Sequence, residues 1–329
     1  GLDWRMFKQR FGLDLAFYNN ITRNQILDVP MDQTTGYTKA TMNSGKVRNR
    51  GIELQLDGTP VKTKNFTWNS TFTWAKNYNK VLSLAAGLTD GQTIAYTGGT
   101  NCALIAKVGG SIGDIYGYKL KRAPDGQVVW KDGITARTTE FEYVGNAYPA
   151  WKAGFSNEFS YKNFRVSILF DGQWGGIVYS QTHHKMTEHG TLKHTLKYRE
   201  NPNFEVVGEG VMLDERGQYV PNNVPISVSK YYADYWRRAN VETNSFDASF
   251  LKLREARIEY TIPSAGLNKI GIERLTLALY GRNLAMWTKD FPVYDPEVAT
   301  LNNGTIVPGS EMGQLPSTRT MGFNLTLKF

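Results

Sequence analysis

His183, His184, His189 and His194 are the four histidines of this 329-residue chain, and they fall in one short stretch with Glu188 among them. Imidazoles at spacings of five could offer nitrogens to a transition metal. The competing reading is a polar loop whose rings are simply solvated, because neither a second ligand cluster nor a helical frame fixes their geometry. His184, His189 and His194 therefore stand as weak metal candidates, and no metal or cofactor is assigned. Asp295-Pro296-Glu297 could mimic a paired-carboxylate site but reads better as a loop feature. Cys102 is the single cysteine, which excludes an intrachain disulfide and a Cys-based metal site. The glycine-rich stretches 109–113 and 172–176 lack the Lys-Ser/Thr ending of a phosphate loop and suit bends in strands. No Gly-x-Ser-x-Gly elbow and no His-Glu-x-x-His helix occurs, so an enzyme is not expected.

Aromatic side chains form the other candidate set. Trp130, Tyr179, Trp236 and Trp287 lie in or beside long connecting stretches, where exposed rings could stack on sugars or grip peptide side chains. Packing within the loops is the alternative.

The elements that would position these residues are strands. Between Trp151 and Trp174 the chain alternates strictly. Trp151, Ala153, Phe155, Phe159 and Tyr161 share one parity, and Lys152, Ser156, Glu158 and Ser160 the other. After Lys162-Asn163, Phe164, Val166, Ile168, Phe170 and Trp174 alternate with Arg165, Ser167, Asp171 and Gln173. Each arm spans about 33 Å at about 3.3 Å per residue. Tilted in a membrane, that matches an apolar band of roughly 25 Å between aromatic girdles. Phe66, Trp68, Trp74, Trp151, Tyr161, Phe164 and Trp174 are the expected girdle residues.

The same period recurs at 11–17, 52–57, 66–74, 251–262, 275–279 and 321–329, with a change of parity at Arg254-Glu255 that predicts a bulge. That gives about eight strands, and 112–120 with a partner near Val128 or Phe141 would add two more. The stretch 230–240 reads as a short helix. Connections alternate between short (57–65, 162–163, 263–269) and long (19–47, 76–150, 175–247, 285–317). Short turns on one side and long loops on the other describe a transmembrane antiparallel β-barrel, short side and Phe329 facing the periplasm. A soluble β-sandwich also alternates, but its strands usually run about 5–6 residues.

Composition agrees. Mean hydropathy is −0.41, and no run approaches the roughly 18 apolar residues of a membrane helix. Net charge is +8, yet Lys and Arg are scattered, so nucleic acid is not an expected partner.

Several stretches together resemble the SusC/RagA family of TonB-dependent outer-membrane transporters of Bacteroidetes. They are 49–56 (NRGIELQL), 161–164 (YKNF), 170–176 (FDGQWGG), 249–263 (SFLKLREARIEYTIP), 281–284 (GRNL), 294–297 (YDPE) and the closing 315–329. The resemblance covers the C-terminal part of such a transporter, whose wall is a 22-stranded barrel plugged by an N-terminal domain. It implies energised import of an oligosaccharide or oligopeptide, with TonB acting through the N-terminal region and a SusD-like surface lipoprotein closing over the loops. Outer-membrane lipid would surround the barrel. A surface-binding or adhesin barrel without TonB-driven transport is the alternative. Because Phe11 already belongs to a strand, the start at Gly1 reads as a cut. The terminal Phe329, closing an alternating strand, resembles an outer-membrane assembly signal.

Overall fold

In a computed structural model, residues 1–30, 39–84, 91–97, 99–263, 267, 271–297, 300–302 and 305–329 are described. Nine strands pair antiparallel, each with its neighbour in sequence: β1 Leu2–Met6, β2 Phe11–Pro30, β3 Lys39–Lys62, β4 Phe66–Ser83, β5 Trp151–Tyr161, β6 Phe164–Trp174, β7 Phe250–Ile262, β8 Arg274–Thr288 and β9 Thr320–Lys328. This uninterrupted meander is what short turns at one end permit. Two-residue loops favour a positive φ, and Lys162 holds φ at 52° between β5 and β6.

Register converts the period of two into two faces. One row runs Trp4, Leu13, Leu56, Phe72, Phe155, Phe170, Leu253 across seven strands. A row of opposite parity runs Asp3, Asp14, Gln55, Thr73, Gly154, Asp171, Lys252. The sheet is thus apolar on one side and polar on the other. Asn157 breaks the apolar parity, and Trp68 Nε1 donates to its Oδ1 at 2.9 Å, so its side chain is sheltered and paired. Gly12 leaves room on the polar side for Arg5 to reach Asp57 across it.

The expected bulge occurs. Leu169 and Phe170 of β6 face Glu255 and Leu253, leaving Arg254 as the extra residue, and the register against β8 shifts at the same place. Nine strands fall within the eight to ten expected. The added one is β1, where Leu2, Trp4 and Met6 alternate with Asp3 and Arg5 over a run too short to register as a strand in the sequence. Three expectations need correction, those for 19–47, 112–120 and 57–65. The stretch 19–47 is largely strand: β2 and β3 stay paired from Phe11–Gly58 to Pro30–Lys39, a hairpin rising beyond the rest of the sheet. Residues 112–120 add nothing to the wall. Their strand, Asp114–Gly117, pairs with Glu142–Asn146 and Cys102–Ala106 in a separate four-stranded sheet completed by Gln92–Thr97. The short turn expected at 57–65 narrows to 63–65, because β3 runs on to Lys62. Most of the expected turn at 263–269 lies outside the described residues. The helix expected over 230–240 is α2, Val228–Tyr235, capped by Ser227; α1 spans Gln181–Glu188 under a Ser180 cap.

Reversing one residue's face tests the assignment of faces. In the full-length protein reconstituted into lipid vesicles, Phe155→Arg is expected to cost about 2–4 kcal/mol, whereas Ser156→Arg, one residue away on the polar side, is expected to be nearly neutral. Denaturant unfolding followed by tryptophan fluorescence measures both.

Candidate functional site

The polar face forms a shallow basin of about 360 Å³ lined by Asp14, Glu53, Gln55, Thr73, Lys152 and Asp171. Both signs of charge are present, and the basin presents hydrogen-bonding groups to a solute. A second concavity, of about 490 Å³, lies on the opposite face among Phe72, Trp151, Phe155, Phe170, Trp174 and Leu251. It is lined mainly by apolar side chains and belongs to the greasy side of the sheet.

At the upper rim of the polar face a charge cluster ties a loop to the wall. Lys252 is only 2% exposed, and its Nζ donates to Asp295 Oδ1 at 2.6 Å and to Glu297. Arg254, set free by the bulge, bridges Asp171 and Glu297, each at 2.6 Å. Burial alone would raise both loop carboxyls. Hydrogen bonds from Lys252 to Asp295, and from Arg254 and Lys252 to Glu297, outweigh it and hold both below the usual carboxylate range. The Asp-Pro-Glu stretch is therefore an anchor. Its counter-ions sit 43 and 45 residues upstream, so the motif in isolation shows only half of it.

Above the wall the long connections pack on one another. Trp130, Tyr231, Tyr232, Leu120, Val206 and Ile226 form one core, and Cys102, Leu104, Ile115, Tyr179, Val241 and Val307 another. Glu311, fully buried, accepts from Ser180 Oγ, Thr182 Oγ1 and Tyr294 Oη at 2.5 Å each and from the Gly313 amide at 2.7 Å. One carboxylate thus joins α1 to the last loop.

The histidines belong to this cap, and neither sequence-level reading of them holds for His183 and His184. Both are buried on α1, a helical frame the sequence did not reveal. His183 Nδ1–H donates to Asn244 Oδ1 at 2.9 Å and His184 Nδ1–H to the Trp236 carbonyl at 2.8 Å. His194 stacks on His183 at 5.3 Å and meets Thr187 Oγ1 through Nε2 at 3.2 Å. His189, the helix C-cap, is exposed. Among the described residues no group of three His, Cys, Asp or Glu side chains could hold a metal. Burial pushes the His183 pKa down to about 4, the Asn244 hydrogen bond opposing it, and burial lowers His184 and His194 too.

The aromatic candidates for solute contact are redistributed. Trp130 is 1% exposed, clustered with the stacked rings of Tyr231 and Tyr235, with Nε1 donating to the Glu209 carbonyl. Tyr179 is fully buried and donates to the Arg238 carbonyl. Trp236 packs on Tyr232, Tyr235 and His194. Trp287 is exposed, but it stands opposite Leu251 on the apolar face of β8. Trp130 and Tyr179 thus offer no ring to a solute, and Trp287 points away from the basin. The residues expected as girdle fall at the two ends of the apolar face. Phe66, Tyr161, Phe164 and Tyr260 make one cross-strand row beside the short turns, with Trp68 stacked on Phe159. Trp74, Trp151 and Trp174 mark the other end, the last two stacked at 6.4 Å. Phe329 is 77% exposed beyond β9. The basin residues were not singled out from the sequence; their shared parity was the available signal.

A family model described as TonB dependent receptor-like, beta-barrel matches residues 1–284. TonB-dependent receptor P26 of Formosa agariphila is 29% identical over 358 residues, covering all of this chain and 34% of that protein. TonB-dependent receptor SusC of Bacteroides thetaiotaomicron is 24% identical over 192 residues, 54% of this chain and 19% of its own length. Among solved structures, the RagAB peptide transporter superposes with a TM-score of 0.68 at 20% identity over 99% of this chain and 34% of that one. Its relative in the closed-closed state gives 0.69 at 21%. The chain spans about a third of the length of the curated relatives that cover it fully.

The cap should respond to acid in a defined direction. A buried histidine with a depressed pKa leaves stability intact above its unfolded value near 6.5 and withdraws it as pH falls toward the folded value of about 4. In the full-length protein the protection factors of α1 amides, which remove the pH dependence of intrinsic exchange, are expected to fall as pH drops from roughly 6.5 to 4. His183→Gln should flatten that dependence.

Proposed function

Since the chain belongs to the TonB-dependent receptor-like β-barrel family, and is part of an outer-membrane barrel rather than an enzyme, we propose that it forms one side of the conduit through which a SusC/RagA-type transporter imports a bulky polar solute. The observation that carries this reading is the two-faced wall. A solute following Asp14, Glu53, Gln55, Thr73 and Lys152 stays among hydrogen-bonding groups, while Leu56, Phe72, Phe155 and Phe170 meet acyl chains. The two aromatic ends of the apolar face serve as membrane girdles, and the apolar concavity seats lipid.

Of the two cargo classes, oligopeptide is favoured over oligosaccharide. Trp130 and Tyr179, which would have offered stacking faces to sugars, are used inside the cap, whereas the basin offers charges of both signs suited to peptide termini and side chains. RagAB, a solved structural relative, is itself a peptide transporter. TonB supplies the energy through the rest of the protein, and a SusD-like lipoprotein meets the loop cap. In cells carrying the full-length protein, uptake of a labelled oligopeptide pool is expected to fall to background without TonB, and a glycan pool should not compete. Glycan competition would reverse the cargo assignment, and TonB-independent binding without uptake would favour the adhesin reading.

Phe329 acts as an assembly signal in this reading. Deleting it from the full-length protein is expected to lower the outer-membrane yield several-fold, read as heat-modifiable barrel on gels; normal yield would remove the role.

A further inference from the structure

Beyond the level of Phe17, Ile52 and Lys76, the outward positions of the tall hairpin and its neighbour change character. The outward parity continues through Asn19, Ile21 and Arg23 on β2, through Arg50, Arg48 and Lys46 on β3, and through Tyr78 and Lys80 on β4. Counting Lys76, six cations share this face, and no carboxylate occupies any of its positions. Register sets Arg48 directly opposite Lys80 and Arg23 directly opposite Lys46. Like charges so placed destabilise a strand pair. Among the described residues none of the six forms an ion pair, whereas Arg5, Lys252, Arg254, Arg257 and Arg282 on the polar face all do. Arg48 Nε is buried without an acceptor. Lys76 and Arg50 flank the exposed Tyr78 ring at 4.8 and 5.8 Å. Beside them opens a cleft of about 430 Å³ among Lys76, Tyr78, Asn79, Tyr148, Pro149 and Trp151, where β4 continues past the start of β5.

We propose that this patch seats the phosphorylated headgroup of an outer-leaflet glycolipid. Two observations select that occupant. The patch continues the acyl-facing surface without a break, beginning about 7 Å along β4 from Trp74 and reaching about 20 Å, which is headgroup rather than hydrocarbon depth. Its chemistry is complementary to phosphate: Arg and Lys without ion-pair partners among the described residues, brought into like-charge opposition that a polyanion relieves. The aromatic ring and polar cleft suit the sugar that carries the phosphate. The inference rests on the membrane reading above, with the long loops outward.

The test uses the full-length protein in detergent with purified lipid A, phosphorylated or enzymatically dephosphorylated, and native mass spectrometry to count bound lipid. Wild-type protein is expected to retain phosphorylated lipid A at least tenfold better than the dephosphorylated form. Arg48→Gln/Arg50→Gln/Lys76→Gln/Lys80→Gln should abolish that preference, and Arg282→Gln on the polar face should keep it. A conservative Lys76→Arg/Lys80→Arg variant should bind as wild type, which separates charge from folding, with heat-modifiable migration checking every variant. Equal retention of both lipids, displacement by millimolar inorganic phosphate, or an unchanged quadruple variant would overturn the proposal. So would loss of a co-purifying surface protein in place of lipid, since the face would then be a protein interface. Quenching of Trp74 and Trp151 by brominated acyl chains separates the two levels: with quenching intact only the headgroup site fails, and without it the membrane placement fails.

Discussion

Every strand here must satisfy its backbone amides sideways while showing lipid on one face and water on the other. In hydrocarbon an unpaired amide has no water to turn to, so the ladder has to be continuous, and the chain meets this with nine strands joined by eight consecutive antiparallel pairings. A ladder fixes register, and register with a period of two fixes which residues meet lipid. A slip of one residue would exchange Phe155 and Ser156, and with them every row across the wall. The strand order is open, β1 and β9 each having a neighbour on one side only among the described residues. Such a wall can work in a membrane only within a closed barrel.

The bulge shows how a local break in that ladder is put to use. By leaving Arg254 unpaired in register, it frees a guanidinium to span Asp171 on the wall and Glu297 on a loop, beside the buried Lys252–Asp295 pair. Removing one partner of a buried pair strands the other's charge, a cost of about 3–5 kcal/mol. The loop therefore holds its place over the rim. Glu311 does the same between α1 and the last connection without a cation, through four hydrogen bonds. These two carboxylate-centred joints turn long polar connections into a cap with its own cores.

What could be read from the residues divides along the range of the interactions involved. The hairpin from Trp151 to Trp174, the parity change at Arg254-Glu255, the short helix near 230–240 and the end rows of aromatics are local, periodic signals, and the structure reproduces each. Strand β1 does not stand out in the sequence, because three apolar alternations are too few to distinguish it from a loop. The hairpin of β2 and β3 outruns its alternation because polar residues crowd the stretch past Phe17 while the backbone pairing continues. There Asn19, Asn20, Thr22, Arg23 and Asn24 on β2 run alongside Lys46, Arg48, Asn49 and Arg50 on β3.

Alternation by itself determined that this chain makes long antiparallel ribbons with one greasy side, because side-chain direction along a strand is a property of each residue and its neighbours. Only the tertiary structure decided what the chemically suggestive side chains do. His184 and Trp130 looked like loop residues open to metal or solute, yet both are buried. Asp295 looked like half of a carboxylate pair, yet it is the partner of Lys252. Burial and pairing depend on residues dozens of positions away, and no local period encodes them.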